Sequence, residues 1–273
     1  YQFAVFLSYV INWIHIPQKK RTDILFTSGL DQILLPGKST PSAYTIRELN
    51  HLIGSGANFT LSTSHTPAAI LKAAENLHLQ LPVIAMDGAV LYDIGKNQYL
   101  LKYMMSRQTV SRIEHILDDK NFHFFENVIV DDVLLIYYQD FKTPQQREYY
   151  EKQRISPLHN YMRGKRSEKQ NVISFTLLDD TTRLNALISD FNQEGLDRNC
   201  RFLLKKSEYE NQALLHILCK NARKENMNHY LQKKLNLPKT ISFGDYKDTC
   251  DITVESKDSD QVAKTVKKLY SKK

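Results

Sequence analysis

The residue with the clearest chemical setting is Asp31. It follows residues 24–27 (Ile-Leu-Phe-Thr), a short apolar run of the kind that makes a strand buried on both faces, and the turn Ser28-Gly29-Leu30. In an open α/β sheet, ligands bind just beyond the carboxyl ends of the strands. A carboxylate at 31 therefore stands where chemistry would be done. Two further strand-like runs end in polar groups of the same kind. Residues 58–61 exit through Ser62-Thr63-Ser64-His65, and 239–243 run into Gly244 and Asp245, with Asp248 close behind. His65 also reads as a surface-loop histidine with no role.

Other constellations are weaker. Cys200, Cys219 and Cys250 are far apart and odd in number, so they form neither a disulfide framework nor a zinc-ligand spacing. They fit a reducing, cytoplasmic setting. The densest positive run, residues 163–169 (Arg-Gly-Lys-Arg-Ser-Glu-Lys), reads as a solvated loop, and no aromatic residues are woven through it to stack on bases. Net charge is +7 over 273 residues. That tolerates an anionic ligand, but acidic residues are interspersed nearly everywhere, so no specific nucleic-acid signal emerges.

The elements that must position these groups follow from length and periodicity. A chain of 273 residues with 42% hydrophobic content can bury one large core, or a core plus an insert. Residues 1–16 place Phe3, Phe6, Leu7, Val10 and Ile14 at helical spacing, ahead of Pro17 and a basic Lys19-Lys20-Arg21. That segment is too short and too interrupted to cross a bilayer, and it lacks the cationic start and cleavage site of a signal peptide. It reads as a helix packed on the core, as a remnant of an upstream domain, or as a surface for a protein partner, self-association or a membrane face. The first residue is not Met, so the chain reads as a fragment or a processed product. Helices are expected at 42–52, ended by Gly54-Ser55-Gly56, and at 68–77, opened by Thr66-Pro67. Between 95 and 215 the pattern is mixed. Helices are expected at 110–117 and 182–192, strands at 128–130, 133–138, 172–178 and 201–204, with a polar loop in the middle. Phe122, Phe124 and Phe125 alternate with His123 and belong to the core of that region.

Taken in order, these strand ends resemble the motifs of the haloacid dehalogenase-like (HAD) superfamily, in the Cof-type sugar-phosphatase-like branch. The first motif is an apolar strand followed by Asp-x-Asp-x-Thr. On it Asp31 matches the second Asp, the acid/base position. Gly29 falls on the phosphoryl-accepting nucleophile and magnesium ligand, and Ile33 on the Thr. Thr63 matches the phosphate-binding Thr of the second motif, with Ser64 and His65 where Gly and Arg are usual. Asp87 takes the Asn position of an Asn-Gly-Ala strand pair that leads into a cap. Lys224 best matches the Lys of the third motif, with Lys220 as an alternative register. Gly244 and Asp245 match the fourth, whose second acid falls on Thr249 with Asp248 one residue early. The helix and strand usual between that motif and the tail are missing.

The resemblance implies an α/β fold: a Rossmann-like core with a mostly parallel sheet at 23–94 and 216–273, an inserted α+β (C2-type) cap at 95–215, and an N-terminal segment at 1–22. It also argues against the usual reaction, because Gly29 cannot attack phosphorus or hold a cation. Asp31, Asp245 and Asp248 would bind magnesium weakly or stay vacant, and no resident cofactor is expected. A catalytically degenerate, pseudophosphatase-like binding module is the expectation. Thr63, Lys224 and the N–H groups of 29–33 would form a residual site for an anionic or phosphorylated small molecule. The alternative is an enzyme, either a weak metal-dependent phosphatase or a repurposed acid/base catalyst built on Asp31 and Asp245.

Overall fold

The computed structural model describes residues 23–30, 33–35, 40–156, 159–244, 250–254, 258 and 260–271. The expected N-terminal helix and Asp31, Asp245 and Asp248 lie outside the described residues. Strand β1 (Ile24–Ser28) is the centre of the core: Leu25, Phe26, Thr27 and Ser28 are all buried. Burial on both faces is what an unbroken apolar run without alternation requires.

Helix α1 (Ala43–Gly54) begins where the Ser42 hydroxyl accepts the Thr45 N–H at 3.0 Å, and it stops before Gly56, whose φ of 103° only glycine adopts easily. Its inward face, Leu49, Leu52 and Ile53, packs on the core. β2 (Asn58–Leu61) runs parallel to β1. α2 (Pro67–Ala73) is shorter than its apolar pattern suggested, with Pro in the first turn. β3 (Val83–Ala85), β4 (Val90–Asp93) and β5 (Gln98–Lys102) form an antiparallel meander, tied to β2 by a parallel bridge between Ser62 and Ile84.

α3 (Arg107–Asp119) opens the second layer, followed by β6 (Phe125–Val130), β7 (Val133–Tyr138), α4 (Pro144–Gln153), β8 (Asn160–Arg163), β9 (Val172–Asp180), α5 (Thr181–Gln193), β10 (Cys200–Lys206) and β11 (Gln212–Cys219). Its six-stranded sheet has the order β10-β11-β9-β6-β7-β8, antiparallel except for β7 beside β8. Alternation along the strands gives this sheet two faces. One carries Phe175, Leu177, Leu215 and Ile217 against Val110, Ile113 and Leu117 of α3 and Leu184, Leu187 and Phe191 of α5. The other carries Phe125, Asn127, Ser174, Thr176, Lys205 and His216 toward the core.

The chain returns through α6 (Lys224–Lys234) to β12 (Lys239–Gly244), parallel to β1, then β13 (Ile252–Thr253), parallel to β12, and α7 (Gln261–Ser271). The connection between β12 and β13 spans residues 245–251, shorter than the dozen or so that a parallel crossover ordinarily takes. α7 lies on α1, where the Tyr270 hydroxyl donates to the Ser55 carbonyl at 2.6 Å and Lys267 pairs with Glu48 at 3.1 Å. Among the described residues no helix is long and apolar enough to cross a membrane.

Three expectations change in detail. The expected polar loop contains α4 and β8. α4 has no regular apolar stripe and is held by a capping box between Thr143 and Gln146, by Gln146 donating to the Leu178 carbonyl at 2.9 Å, and by Tyr149 and Tyr150 packed on Phe125 and Tyr138. The expected return to the core at 216 falls inside β11, a strand of the six-stranded sheet that runs to Cys219. The basic run at 163–169 is not uniformly solvated. Arg166 is almost buried, with Nε 2.9 Å from Glu126 and Nη2 3.0 Å from Glu114. Burial and the nearby Glu114 raise the Glu126 carboxyl to about 7 against the opposing pull of Arg166.

Candidate functional site

The tips of β1, β2 and β12 meet along one edge. The Gly29 N–H donates to the Phe243 carbonyl at 3.1 Å, and the Ser62 N–H to the Ser28 carbonyl at 2.8 Å. At Gly29 the conformation is ordinary but the space is not. A Cβ there would stand 2.9 Å from the Cγ1 of Ile33, tighter than carbon atoms tolerate, and 3.7 Å from the Phe243 carbonyl oxygen. Ile33 is itself buried. The two residues fit each other: the missing side chain at 29 leaves room for the isoleucine at 33. Position 29 therefore supplies a magnesium ion with no side-chain oxygen, and the group standing over it is a hydrocarbon. The described part of this edge does not fit a hard cation that needs oxygen donors.

Thr63 is buried at the exit of β2. Its Oγ1 accepts the His65 N–H at 3.2 Å, which leaves its own hydroxyl proton free to be donated. Its backbone holds the next turn in place, since the Thr63 carbonyl accepts the Asp87 N–H at 3.1 Å. Met86 and Asp87 both have positive φ, and so does Gly88 (φ 87°). A Cβ on Gly88 would stand 2.3 Å from the Arg223 carbonyl carbon and 2.5 Å from the Lys224 nitrogen, so this turn packs directly on the start of α6. Lys224 is half-buried at that start. Gly29 thus lies beside Phe243 of β12, while Thr63 and Lys224 each flank the 86–88 turn.

Sequence reasoning missed the other wall. A cleft of about 230 Å³ lies between the core turns and the inner face of the six-stranded sheet. Across it, Asp87 meets two residues of the cap. Both of its carboxylate oxygens are 2.7 Å from Lys205 Nζ, and Oδ2 is 2.9 Å from His216 Nδ1. Burial by itself would raise the Asp87 carboxyl, but the hydrogen bond and charge of His216 and those of Lys205 outweigh it. They hold the group well below the usual carboxylate range. Arg201 reaches the same neck, donating to the Ala222 carbonyl and, at 3.5 Å, to the Asp87 carbonyl.

A second bridge joins the walls. Thr66, the residue that opens α2, gives its side chain not to the helix but to His159, with Oγ1 2.6 Å from Nε2; His159 Nδ1 lies 2.8 Å from the Gln153 carbonyl. The carbonyl accepts the Nδ1 proton, so in the neutral ring Nε2 accepts the threonine hydroxyl. Burial lowers the affinity of this ring for a second proton, and His65 nearby adds to the effect. Around these polar groups stand Tyr149, Tyr161 and Phe125, with the Tyr149 hydroxyl pushed up to about 12 by burial. The available signal was strand parity: Lys205 and His216 fall on the inner face only once β10 and β11 are registered.

A parallel α/β core whose strand tips face an inserted, mostly antiparallel sheet defines a capped hydrolase architecture. The chain matches the profile of the haloacid dehalogenase-like hydrolases over residues 26–253 and belongs to that family. Among solved structures it is similar to a protein from Thermotoga maritima (TM-score 0.69, 18% identity, 89% of this chain and 96% of the other). It is also similar to a haloacid dehalogenase-like hydrolase from B. subtilis (TM-score 0.68, 16% identity, 91% and 100%). A HAD subclass IIB sugar phosphatase aligns with TM-score 0.65 and 13% identity over 91% and 99%. In sequence, 75 residues are 33% identical to a Mycoplasma pneumoniae protein provisionally named a phosphatase, a match spanning 26% of that relative's length.

Proposed function

We propose that this chain is a catalytically degenerate member of its family, a pseudophosphatase that holds an anionic or phosphorylated small molecule between core and cap. The observation that carries the reading is the fit of Ile33 over Gly29. Aspartyl-phosphate chemistry needs a carboxylate oxygen at that strand tip, and losing a covalent nucleophile generally costs orders of magnitude in rate. Here a side chain at 29 would press on Ile33, so the described residues offer no carboxylate at that tip. Thr63 and Lys224 form the residual anion site in this reading, and Lys205 and His216 extend it into the cleft. Asp31, Asp245 and Asp248 keep at most a weak hold on magnesium.

A second reading draws on Asp87 and His216. A buried carboxylate on Nδ1 orients an imidazole for proton transfer at its other nitrogen. That arrangement supports a repurposed acid/base enzyme at this cleft; Asp31 and Asp245, the acidic groups of the family pattern, belong to the same reading.

The experiment combines an aryl-phosphate assay with magnesium and a thermal-shift titration. No turnover, no stabilisation by magnesium, and stabilisation by inorganic phosphate that weakens in Lys224→Met are the expected results. Magnesium-dependent turnover that disappears in Asp245→Ala would overturn the binding-module reading. Gly29→Asp alone is expected to destabilise the chain through its contact with Ile33, whereas Gly29→Asp with Ile33→Thr is expected to regain stability.

A further inference from the structure

Cys200 opens β10 and Cys219 closes β11, and the strand register sets them directly opposite each other. The Lys220 N–H donates to the Asn199 carbonyl at 2.8 Å, which makes the adjacent pair, 199 and 220, the hydrogen-bonded kind. Pair types alternate along antiparallel strands, so 200 and 219 form a non-hydrogen-bonded pair. At such positions Cα atoms approach to about 4.5 Å and side chains come closest. That separation lies inside the window of roughly 4.4–6.8 Å that a disulfide can span. Both thiols leave the sheet on one face, beside the cluster formed with α3 and α5. Cys250, the remaining cysteine, sits on the core beside Gly244.

We propose that Cys200 and Cys219 form a reversible cross-strand disulfide that staples the cap at the neck where the chain returns to the core. The two thiols are not equivalent. Cys200 is buried, and that burial, with Cys219 beside it, pushes its thiol up to about 12 against the opposing charges of Lys220 and Arg112. Cys219 is half-exposed and is the thiol that meets solvent first. Its thiolate attacks one sulfur of a low-molecular-weight disulfide and releases one external thiol. Cys200 then loses its proton and attacks the Cys219 sulfur, expelling the second external thiol. Two protein thiols and one external disulfide become one protein disulfide and two external thiols, and the two electrons pass to the oxidant. The second step is slow and accelerates with pH, because it waits on the buried thiol.

The location gives the bond a consequence. Arg201, next to Cys200, holds the Ala222 carbonyl across the neck, and the same two strands carry Lys205 and His216 to Asp87. A bond at this end fixes the β10–β11 pair where Arg201 and Lys220 lead into the neck. In a reducing compartment the pair rests as thiols and closes when the ratio of disulfide to thiol rises. None of this depends on whether the cleft is catalytic.

The test incubates the full chain in defined mixtures of oxidised and reduced glutathione at pH 7 and pH 9, quenches with acid, alkylates under denaturing conditions and maps peptides by mass spectrometry. A linked Cys200–Cys219 peptide with Cys250 outside the bond is expected, reached several-fold faster at pH 9. Cys200→Ser is expected to trap glutathione on Cys219, and Cys219→Ser to leave Cys200 unmodified in the folded chain. Slower amide exchange at 220–223 in the oxidised form is the expected mechanical effect. Accumulation of glutathione on Cys219 in the unmutated protein with no linked peptide at either pH would overturn the proposal, as would a bond to Cys250.

Discussion

Asp87 shows what a single residue does here. The family pattern places Asn at this position, and both Asn and Asp tolerate the left-handed backbone found there, φ 56°. The difference is charge: the carboxylate draws Lys205 and His216 of the cap onto a turn of the core. Because its folded pKa lies below the unfolded one, its contribution is full above the ordinary Asp range and fades as pH falls through and below it. Asp87→Asn keeps the backbone and removes the charge. It is expected to cost about 1–3 kcal/mol in urea denaturation at neutral pH, since Lys205 can turn to water but the buried amide loses its charged partners. The loss should shrink on acidification, and an unchanged difference at low pH would count against the pairing.

Among the elements, the cap sheet holds the clearest titratable device in His123. It is buried between Phe125 and Phe141, with ring centroids at 4.7 and 5.0 Å. Burial lowers its pKa from 6.5 to about 4, aided by Lys142 and opposed by the Gln139 backbone. The unfolded chain takes up this proton first, so stability is full above about pH 6.5 and falls as pH drops toward 4, by roughly 3 kcal/mol at most. His123→Phe should flatten that part of the pH–stability curve, measured by denaturant midpoints between pH 7 and 4. The alternation of Phe122, Phe124 and Phe125 with His123 was legible in the sequence because an aromatic run signals a buried layer. α4 was not, because a helix built from Gln, Glu, Lys, Arg and Tyr is held by its cap, by Gln146 and by the adjacent Tyr149 and Tyr150 packed on Phe125 and Tyr138, which no helical periodicity reports.

For the molecule as a whole, core and cap share one apolar cluster and are tied besides by polar contacts. Asp87 with Lys205 and His216 forms one tie, and Thr66 with His159 another. Contacts of this kind can exchange with water, so they are the part of the joint that yields first. Lys205→Met combined with Thr66→Val is expected to raise amide exchange at the cleft-lining strands and enlarge the radius of gyration in solution scattering. The midpoint of global unfolding should fall as well, because Lys205→Met leaves the buried Asp87 carboxylate with His216 as its remaining charged partner. A closed, unchanged particle would show that apolar packing alone holds the two layers together.

The sequence by itself carried the class of fold through a resemblance, because apolar runs ending in polar turns point to one architecture only when their order is matched to a family. The order of those turns resembled one family, and the missing carboxylate at Gly29 was visible as a letter. Tertiary structure alone decided two further matters. Ile33 closes the space above Gly29, a question of distance that residue types leave open. Lys205, His216 and His159 face Asp87 and Thr66 from strands and loops far along the chain, and only the register of a six-stranded sheet decides which side chains point into the cleft.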